Sequence, residues 1–341
     1  MQRQINMKHS NLTVIKIKDL TIGMFVIIPL SWHQHPFLTN EFIINSEAEI
    51  EKIKSFGFKE IQIDPSRCGH MAGLDLTKKS PGDEPGEKKE VQKIVPDDLI
   101  KAIHNKLMPP QKKALIVQKH SFDMMKNLLE NPSTDNITEA KKGISEIVGL
   151  ILKDNATLYY LLNITEHDYY TYTHSVSVGI LGVAMVKSFF KVASNHDIHA
   201  LGAGFFLHDI GKVNIDKNII NKPGKLTDEE MNVIRQHPDI GFKLLHDTNQ
   251  LTYESRIIAL QHHERADGTG YPKRLREHEI HIYGRICSVA DVYDALTTDR
   301  PYRRRMEPME ALKLMRDEML NHFQKDLFEQ FILLFNKPSG H

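Results

Sequence analysis

The N-terminal part of the chain alternates between short apolar runs and polar breaks. The segments VIKIKDL, MFVIIPL and EFIINS predict short strands, SEAEIEKIKSFGF predicts a helix, and KEIQID predicts a returning strand. We therefore expect a small α+β module over residues 12–75.

The composition changes after this module. The stretch KKSPGDEPGEKKEVQK, residues 78–93, is rich in proline, glycine and charge and contains almost nothing apolar, which is typical of a solvated linker. We expect a flexible linker over residues 76–95.

Beyond Pro96, apolar positions recur with helical spacing, as in SFDMMKNLLE and TEAKKGISEIVGLILKDN. Thr227 followed by Glu230 three residues later indicates the start of a helix that runs towards His237. The predicted fold class is therefore mainly α, a helical bundle preceded by a small α+β domain.

The charge balance narrows the choice of ligands. Lys and Arg number 44 in the 341 residues, and Asp and Glu also number 44. This balance argues against a broad basic surface for polymeric nucleic acid, but it leaves a small anionic ligand open.

The cysteines and the longest apolar run address the compartment. Cys68 and Cys287 are far apart, which argues against a disulfide framework or a zinc ribbon and favours a reducing compartment. The run from Val176 to Val186 is shorter than the ~20 residues of a membrane helix, and the N-terminus MQRQINMKHS lacks the apolar core of a signal peptide. We expect a soluble cytoplasmic protein without membrane insertion.

Several of the 19 histidines lie beside an aspartate or beside each other in apolar helical stretches. A histidine or carboxylate buried there must be paired, hydrogen-bonded or metal-bound. Each one taken singly is more often a core or cap residue than a ligand, but their joint occurrence on successive helices favours a metal site. The candidate ligands are His174, His208, Asp209, His237, His262, His263 and Asp291.

The ligand types indicate the class of metal and of reaction. Imidazole and carboxylate together suit first-row transition ions, whereas calcium prefers oxygen and structural zinc sites typically recruit thiolates. Two ions about 3.5 to 4 Å apart can clamp the attacking and leaving oxygens of an in-line phosphoryl displacement. We choose Asp209 as the bridging carboxylate, and a hydroxide shared by both ions would be the nucleophile.

Two strings resemble the signatures of the HD-GYP family, a branch of the HD superfamily that degrades cyclic di-GMP. They are HDIGK, His208 to Lys212, and HHERADGTGYP, His262 to Pro272. The second string is long and specific for this branch, whereas the first indicates only the wider superfamily. The resemblance covers residues 137–336, with connecting helices over 96–136, and KIKDLTIGMFV with FKEIQID looks like the small uncharacterised domain often found ahead of HD-GYP domains.

The resemblance implies roles for individual residues. The seven candidates above fall where the family's ligands for two divalent ions fall, usually iron, with manganese as the alternative. Lys212 would contact a phosphate oxygen and act with Asp209 in catalysis, and Asp294 would hold Lys212 in place. Tyr271 would line the pocket, and Arg300 and Arg303 would contact the ligand.

One position departs from part of the family. Some members hold a third ion with a glutamate four residues before the first histidine, one helical turn away, and here that position is Tyr170. We expect two ions, because Glu166 lies a further turn back and would supply a third site only if the helix were distorted.

The accessory residues also have simpler interpretations, which stay open. Lys212 could be a solvated lysine instead of a phosphate ligand. Gly268 and Gly270 could shape an ordinary turn. The arginines of TDRPYRRR could form a solvated face, although planar guanidinium groups also match phosphates.

The resemblance implies hydrolysis of cyclic di-GMP, or of the related 3′,3′-cyclic GMP-AMP, to a linear dinucleotide or to mononucleotides. The alternatives are a non-catalytic cyclic dinucleotide sensor and a different HD enzyme that acts on nucleotide monophosphates or triphosphates. The sensor would signal through the GYP loop, which contains Gly270, Tyr271 and Pro272. We expect a regulatory or dimerising role for the N-terminal module, where His33 and His35 form no ligand cluster. A protein partner at the GYP loop and a homodimer are both compatible with the sequence.

Overall fold

A computed structural model describes residues 12–29, 41–44, 47–65, 93–164, 171–190, 197–222, 224–299 and 303–335. The chain divides into two compact units, Met1–Lys89 and Glu90–His341. Most of the predicted linker, residues 76–92, lies outside the described residues, as do His33 and His35.

The first unit is an antiparallel sheet with one helix. Its strands are β1 (Thr13–Lys16), β2 (Phe25–Ile27), β3 (Glu41–Ile43) and β4 (Glu60–Ile63), in the order β1-β4-β2-β3, and its helix is α1 (Glu47–Ser55). In β4 the exposed and buried residues alternate, so that Ile61 and Ile63 enter the core. Ile50 and Ile53, one turn apart on α1, belong to the same core cluster.

The second unit is helical, and its helices follow one another with short connections. Between them lie 3-10 turns at Ile210–Asn214, Glu277–Glu279 and Leu320–His322. The helices are α2 (Asp97–His104), α3 (Pro110–Glu130), α4 (Thr134–Lys153), α5 (Asn155–Asn163), α6 (Thr171–Phe189), α7 (Ile198–Phe206), α8 (Lys217–Ile220), α9 (Asp228–Ile234), α10 (His237–Asp247), α11 (Tyr253–Gln261), α12 (Ile282–Thr297), α13 (Pro308–Glu318) and α14 (Lys325–Leu333). Together the two units confirm the predicted fold class.

Helix α6 is the central element of the helical unit. It contacts α7 and α12, and α11 contacts α7, α10 and α12. Gly182 lets α7 come close, because an added Cβ there would lie 2.6 Å from the ring of Phe205. The apolar run Val176–Val186 is therefore the interior of a bundle, and within the described residues no helix is both long enough and apolar enough to cross a membrane.

The predicted helix start at Thr227 is confirmed. The Glu230 N–H donates to Thr227 Oγ1 at 3.2 Å, and the Thr227 N–H donates to Glu230 Oε2 at 2.8 Å. This reciprocal capping box begins α9. The helix ends at Ile234 instead of running on to His237, which begins α10.

Candidate metal centre

The seven predicted ligands are brought together at the ends of helices and on two helix faces. His174 lies in the first turn of α6 and Asp291 lies on α12. His208 and Asp209 follow α7 after Leu207, His237 begins α10, and His262 and His263 follow α11. All are buried except His263, which is half-buried.

The carboxylate of Asp209 lies between two groups of histidines. Its Oδ2 is 3.5 Å from His174 Nε2 and 3.6 Å from His208 Nε2. Its Oδ1 is 3.2 Å from His237 Nε2 and 3.6 Å from His262 Nε2. The ligand atoms form two clusters that share Asp209: His174, His208 and Asp209 in one, and Asp209, His237, His262 and His263 in the other.

Asp291 spans the same two clusters from α12. Its Oδ1 lies 3.0 Å from His174 Nε2, and its Oδ2 lies 3.4 Å from His263 Nδ1. Each cluster therefore has an oxygen from Asp209 and an oxygen from Asp291 beside its imidazoles. An arrangement with one carboxylate facing two ligand sets is suited to two neighbouring ions.

Hydrogen bonds to acceptors fix which ring nitrogen carries the proton. Nδ1 of His208, His237 and His262 lies 2.9, 2.7 and 2.9 Å, respectively, from the backbone carbonyl three residues earlier. A carbonyl can only accept, so Nδ1 is the donor in each ring, and in the neutral ring Nε2 carries the lone pair. These lone pairs point at Asp209 and at one another.

This arrangement fits bound cations. His208 Nε2 lies 3.3 Å from His174 Nε2, and His237 Nε2 lies 3.1 Å from His262 Nε2, so pairs of acceptors face each other. Asp209 Oδ1 is buried and has no hydrogen-bond donor among the described residues. Buried acceptors that face one another are costly unless a positive charge lies between them.

The protonation states also fit metal binding. Burial lowers the pKa of His208 to about 3 and lowers the pKa of His237 and His263 below their usual range, so these imidazoles are neutral at pH 7. Burial alone would raise the pKa of Asp209, but neighbouring groups, led by the Lys212 ammonium, hold that pKa well below its usual range. Neutral imidazole and ionised carboxylate are the forms that bind a metal.

The local backbone contributes to the same preference for cations. His208, His237 and His262 each follow the last residues of a helix, α7, α9 and α11. Their Nδ1–H groups bond to carbonyls of the last turn of those helices, which lack intrahelical partners. The C-terminal ends of three helices, each carrying a partial negative charge, therefore point towards the centre.

Lys212 lies beside the shared carboxylate. It belongs to the 3-10 turn that follows Asp209, and its Nζ is 2.5 Å from Asp209 Oδ2. Gly211 packs so closely against the backbone of His237 that a Cβ would overlap its carbonyl. This close contact places Lys212 at the centre, where its ammonium can interact with an anion.

Asp294 lies beside a candidate metal ligand. Its Oδ2 lies 2.6 Å from His174 Nδ1, whereas Lys212 pairs with Asp209, and the expectation that Asp294 holds Lys212 stays a prediction. The contact with His174 has a geometric reason: Asp294 is three residues after Asp291 on α12, hence on the same face, and that face meets α6. Asp294 therefore orients His174 and fixes its tautomer.

The GYP loop packs directly on the histidine pair. The ring of Tyr271 stacks on His263, with centroids 4.6 Å apart, and the Tyr271 N–H donates to the His263 carbonyl at 3.1 Å. Gly270 is required here, because a Cβ would lie 2.6 Å from the Cα of Glu264. Tyr271 thus lies beside the centre, and its role as a residue of the substrate pocket stays a prediction.

Glu264 anchors this loop, a role that the sequence interpretation missed. Its buried carboxylate accepts the N–H of Lys273 at 2.6 Å and the N–H of Leu275 at 2.9 Å. A glutamate directly after two candidate ligands in an apolar stretch was the signal for it, because such a carboxylate needs partners when buried.

Four further residues were singled out in the sequence. Arg300 and Arg303 are predicted contacts to the ligand, and Tyr170 and Glu166 belong to the position of a third ion. The Arg303 guanidinium donates to the carbonyl of Ala295 on α12, a contact with the protein backbone. Arg300, Tyr170 and Glu166 lie outside the described residues.

Comparisons with known proteins address the family. The "HD domain" family model matches residues 191–327, and the "Domain of unknown function (DUF3391)" model matches residues 12–151, thus including α2, α3 and most of α4. "Cyclic di-GMP phosphodiesterase PA4108" from Pseudomonas aeruginosa is 31% identical over 328 residues, which is 93% of this chain and 75% of the relative. "3′3′-cGAMP-specific phosphodiesterase 1" from Vibrio cholerae is 32% identical over 209 residues, 60% of this chain and 44% of the relative.

Among solved structures, the chain is similar to "Bd1817, a HDG"Y"P protein from Bdellovibrio bacteriovorus", with a TM-score of 0.59 and 18% identity. The match covers 95% of this chain and 99% of that chain, and at this identity it shows the fold. The long match to the Pseudomonas relative, together with the HD domain and the geometry of the centre, establishes the family. The chain belongs to the HD-GYP family of metal-dependent phosphodiesterases.

Proposed function

We propose that this protein hydrolyses a 3′–5′ phosphodiester bond of a cyclic dinucleotide, with cyclic di-GMP as the first substrate and 3′,3′-cyclic GMP-AMP as the alternative. The observation that carries the proposal is the shared carboxylate of Asp209, with two histidines beside each oxygen. The names of the Pseudomonas and Vibrio relatives, phosphodiesterases of cyclic di-GMP and of 3′3′-cGAMP, support the substrate class.

The seven ligands would hold two divalent ions, iron or manganese, with Asp209 as the bridge. When bound, such ions lower the pKa of water and offset negative charge on a phosphoryl group. The imidazole and carboxylate donors suit first-row transition ions, and neutral His208 and ionised Asp209 are in the forms that bind a metal.

The side chains of the protein would then position and neutralise the substrate. The Lys212 ammonium, 2.5 Å from Asp209 Oδ2, would contact a phosphate oxygen and stabilise the charge that develops at phosphorus. Tyr271, stacked on His263, would limit access of water from the side of the GYP loop. Arg300 and Arg303 stay proposed ligand contacts, and Arg303 would have to leave the Ala295 carbonyl to act as one.

The test is turnover by protein of known metal content. Protein loaded with iron or with manganese is incubated with cyclic di-GMP and, separately, with 3′,3′-cyclic GMP-AMP, and the products are separated by chromatography. We expect linear dinucleotide or mononucleotides from at least one substrate, and loss of at least about a thousandfold in kcat for Asp209→Asn. Asp216→Asn is the matched control, because that exposed aspartate caps α8 and asparagine caps equally well.

Two outcomes contradict the proposal. Binding of both cyclic dinucleotides without cleavage, with metal present, would assign a sensor. Cleavage of nucleotide monophosphates or triphosphates in preference to both would assign a different HD enzyme.

The first unit would regulate or dimerise the enzyme. Deletion of residues up to Lys93 should change either the activity or the association state measured by light scattering. Unchanged values for both would remove this role.

A further inference from the structure

A cavity of about 360 Å³ opens beside the GYP loop, outside the seven predicted ligands. It is lined by Arg235, Gly268, Thr269, Gly270, Tyr271 and Arg274. Two glycines leave room in its wall, and two arginines give it positive charge. Its size and charge suit a small anionic group.

Tyr271 connects this cavity to the metal centre. The Arg235 guanidinium carbon lies 5.8 Å from the centroid of the Tyr271 ring, a cation–π contact, and the same ring stacks on His263. Arg235 is also two residues before His237 in the sequence. A group bound in the cavity would therefore lie next to a substrate held at the centre.

The two guanidinium groups are not neutralised by neighbouring carboxylates. Within the described residues neither Arg235 nor Arg274 forms an ion pair, and both side chains are exposed. The charged groups near them already have partners. Lys273 pairs with Asp239 at 3.1 Å, and the Glu264 carboxylate accepts backbone N–H groups of the loop. The cavity therefore has two positive charges that are available to an anion.

Arg274 occupies a backbone position that favours glycine. Its φ is +56°, in the left-handed region that large side chains rarely adopt. A residue held in this region is a reason to look for a function of its side chain. Here Arg274 lines the same cavity as Arg235.

We propose that Arg235 and Arg274 form a second phosphate-binding subsite. It would take the second phosphate of a cyclic dinucleotide whose first phosphate lies at the centre, and so the inference rests on the proposed function. Planar guanidinium groups bind phosphate oxygens through two parallel N–H bonds, which a lysine cannot do. The subsite would distinguish a ligand with two phosphates from one with a single phosphodiester.

The experiment compares two substrates across four variants. Arg235→Gln and Arg274→Gly each remove one guanidinium, and glycine adopts the backbone conformation of residue 274 without strain. Arg256→Gln is the matched control, because its guanidinium lies 5.9 Å from the ring of Phe242 and outside the cavity. For each protein, kcat and KM are measured with cyclic di-GMP and with bis(p-nitrophenyl) phosphate, which has one phosphodiester.

We expect each cavity variant to lower the ratio of kcat/KM for cyclic di-GMP to that for bis(p-nitrophenyl) phosphate by about tenfold, mainly through KM. Calorimetric binding of a phosphorothioate analogue of cyclic di-GMP to metal-loaded protein should weaken by a similar factor. Arg274→Lys should recover only part of the loss, because it keeps the charge and loses the two-bond geometry.

The outcomes separate this inference from the proposed function. The subsite is refuted if Arg235→Gln and Arg274→Gly have the same ratio of the two kcat/KM values as Arg256→Gln. The proposal of cyclic di-GMP hydrolysis is unaffected by that result. If the cavity variants change only the inhibition by the linear dinucleotide, and make it weaker, the cavity binds the terminal phosphate of that product. This result would overturn the proposal for the cyclic substrate. Wild-type protein that cleaves bis(p-nitrophenyl) phosphate but no cyclic dinucleotide would overturn both.

Discussion

Asp294→Asn tests how the protein orients His174. The Asp294 Oδ2 and His174 Nδ1 atoms are 2.6 Å apart, and both side chains are buried, so the change replaces a charge-assisted bond with a neutral one at nearly constant volume. The former is worth about 1.5–3 kcal/mol and the latter about 0.5–1.5 kcal/mol. The difference of about 1–2 kcal/mol predicts roughly 5- to 30-fold weaker metal binding.

The tautomer adds to this effect. An asparagine amide can donate to Nδ1, which would place the proton on Nε2 of His174 and remove the lone pair that faces Asp291. The assay is equilibrium metal content at graded free Mn²⁺, set with a competing chelator. Asp123→Asn is the matched control, because Asp123 pairs with His120 at an exposed position on α3. Equal Mn²⁺ affinity in Asp294→Asn and wild type would refute the reasoning.

Two further predictions concern stability. Glu264→Gln should lower the free energy of unfolding by about 1–3 kcal/mol in urea, since the carboxylate accepts two backbone N–H groups of the GYP loop and glutamine offers one carbonyl oxygen. Burial alone would raise the pKa of Asp154, but the hydrogen bonds from Thr157 and the Lys113 ammonium outweigh it and hold that pKa below its usual range. This depressed pKa stabilises the fold above the unfolded pKa of about 3.9, and the stabilisation is lost as pH falls through the folded value. In Asp154→Asn, Tm should therefore decrease less steeply towards acid pH, which is the acid limb of the plot of Tm against pH.

Exposed residues provide the controls for these two variants. Glu277→Gln removes a carboxylate that lies 4.0 Å from Arg285 at the surface and should change the free energy of unfolding by less than about 1 kcal/mol. Asp98→Asn removes an exposed partner of Lys101 and should leave the acid limb as in wild type. Stability of Glu264→Gln equal to that of Glu277→Gln would contradict the anchoring role, and an unchanged acid limb in Asp154→Asn would contradict the pKa argument.

Most of the candidate ligands could be predicted from the sequence, because they are titratable residues within apolar helical stretches. Histidines and aspartates are seldom buried in apolar stretches of successive helices unless they share a partner, and the structure brings all seven together. The bridging role of Asp209 stays a prediction, and the position of its carboxylate between the two clusters agrees with it.

The partners of Asp294 and Glu264 could not be predicted in the same way. The helical spacing from Asp291 places Asp294 on the same face, but its contact with His174 depends on how α12 packs against α6, 120 residues earlier in the chain.

The strand order of the sheet could not be predicted from the sequence either. The apolar runs predicted the strands, but β4 lies between β1 and β2 because of pairings between segments distant in sequence.

Three imidazoles of the centre are held by carbonyls of their own helix ends. This local arrangement sets their free lone pairs before any ion arrives, and the carboxylate between them is already ionised. Loading at neutral pH would therefore need no proton to leave His208, His237 or the Asp209 carboxylate, unlike a thiolate site, which must release one proton for each cysteine. Occupancy would then depend on the supply of the metal more than on the removal of protons from these ligands.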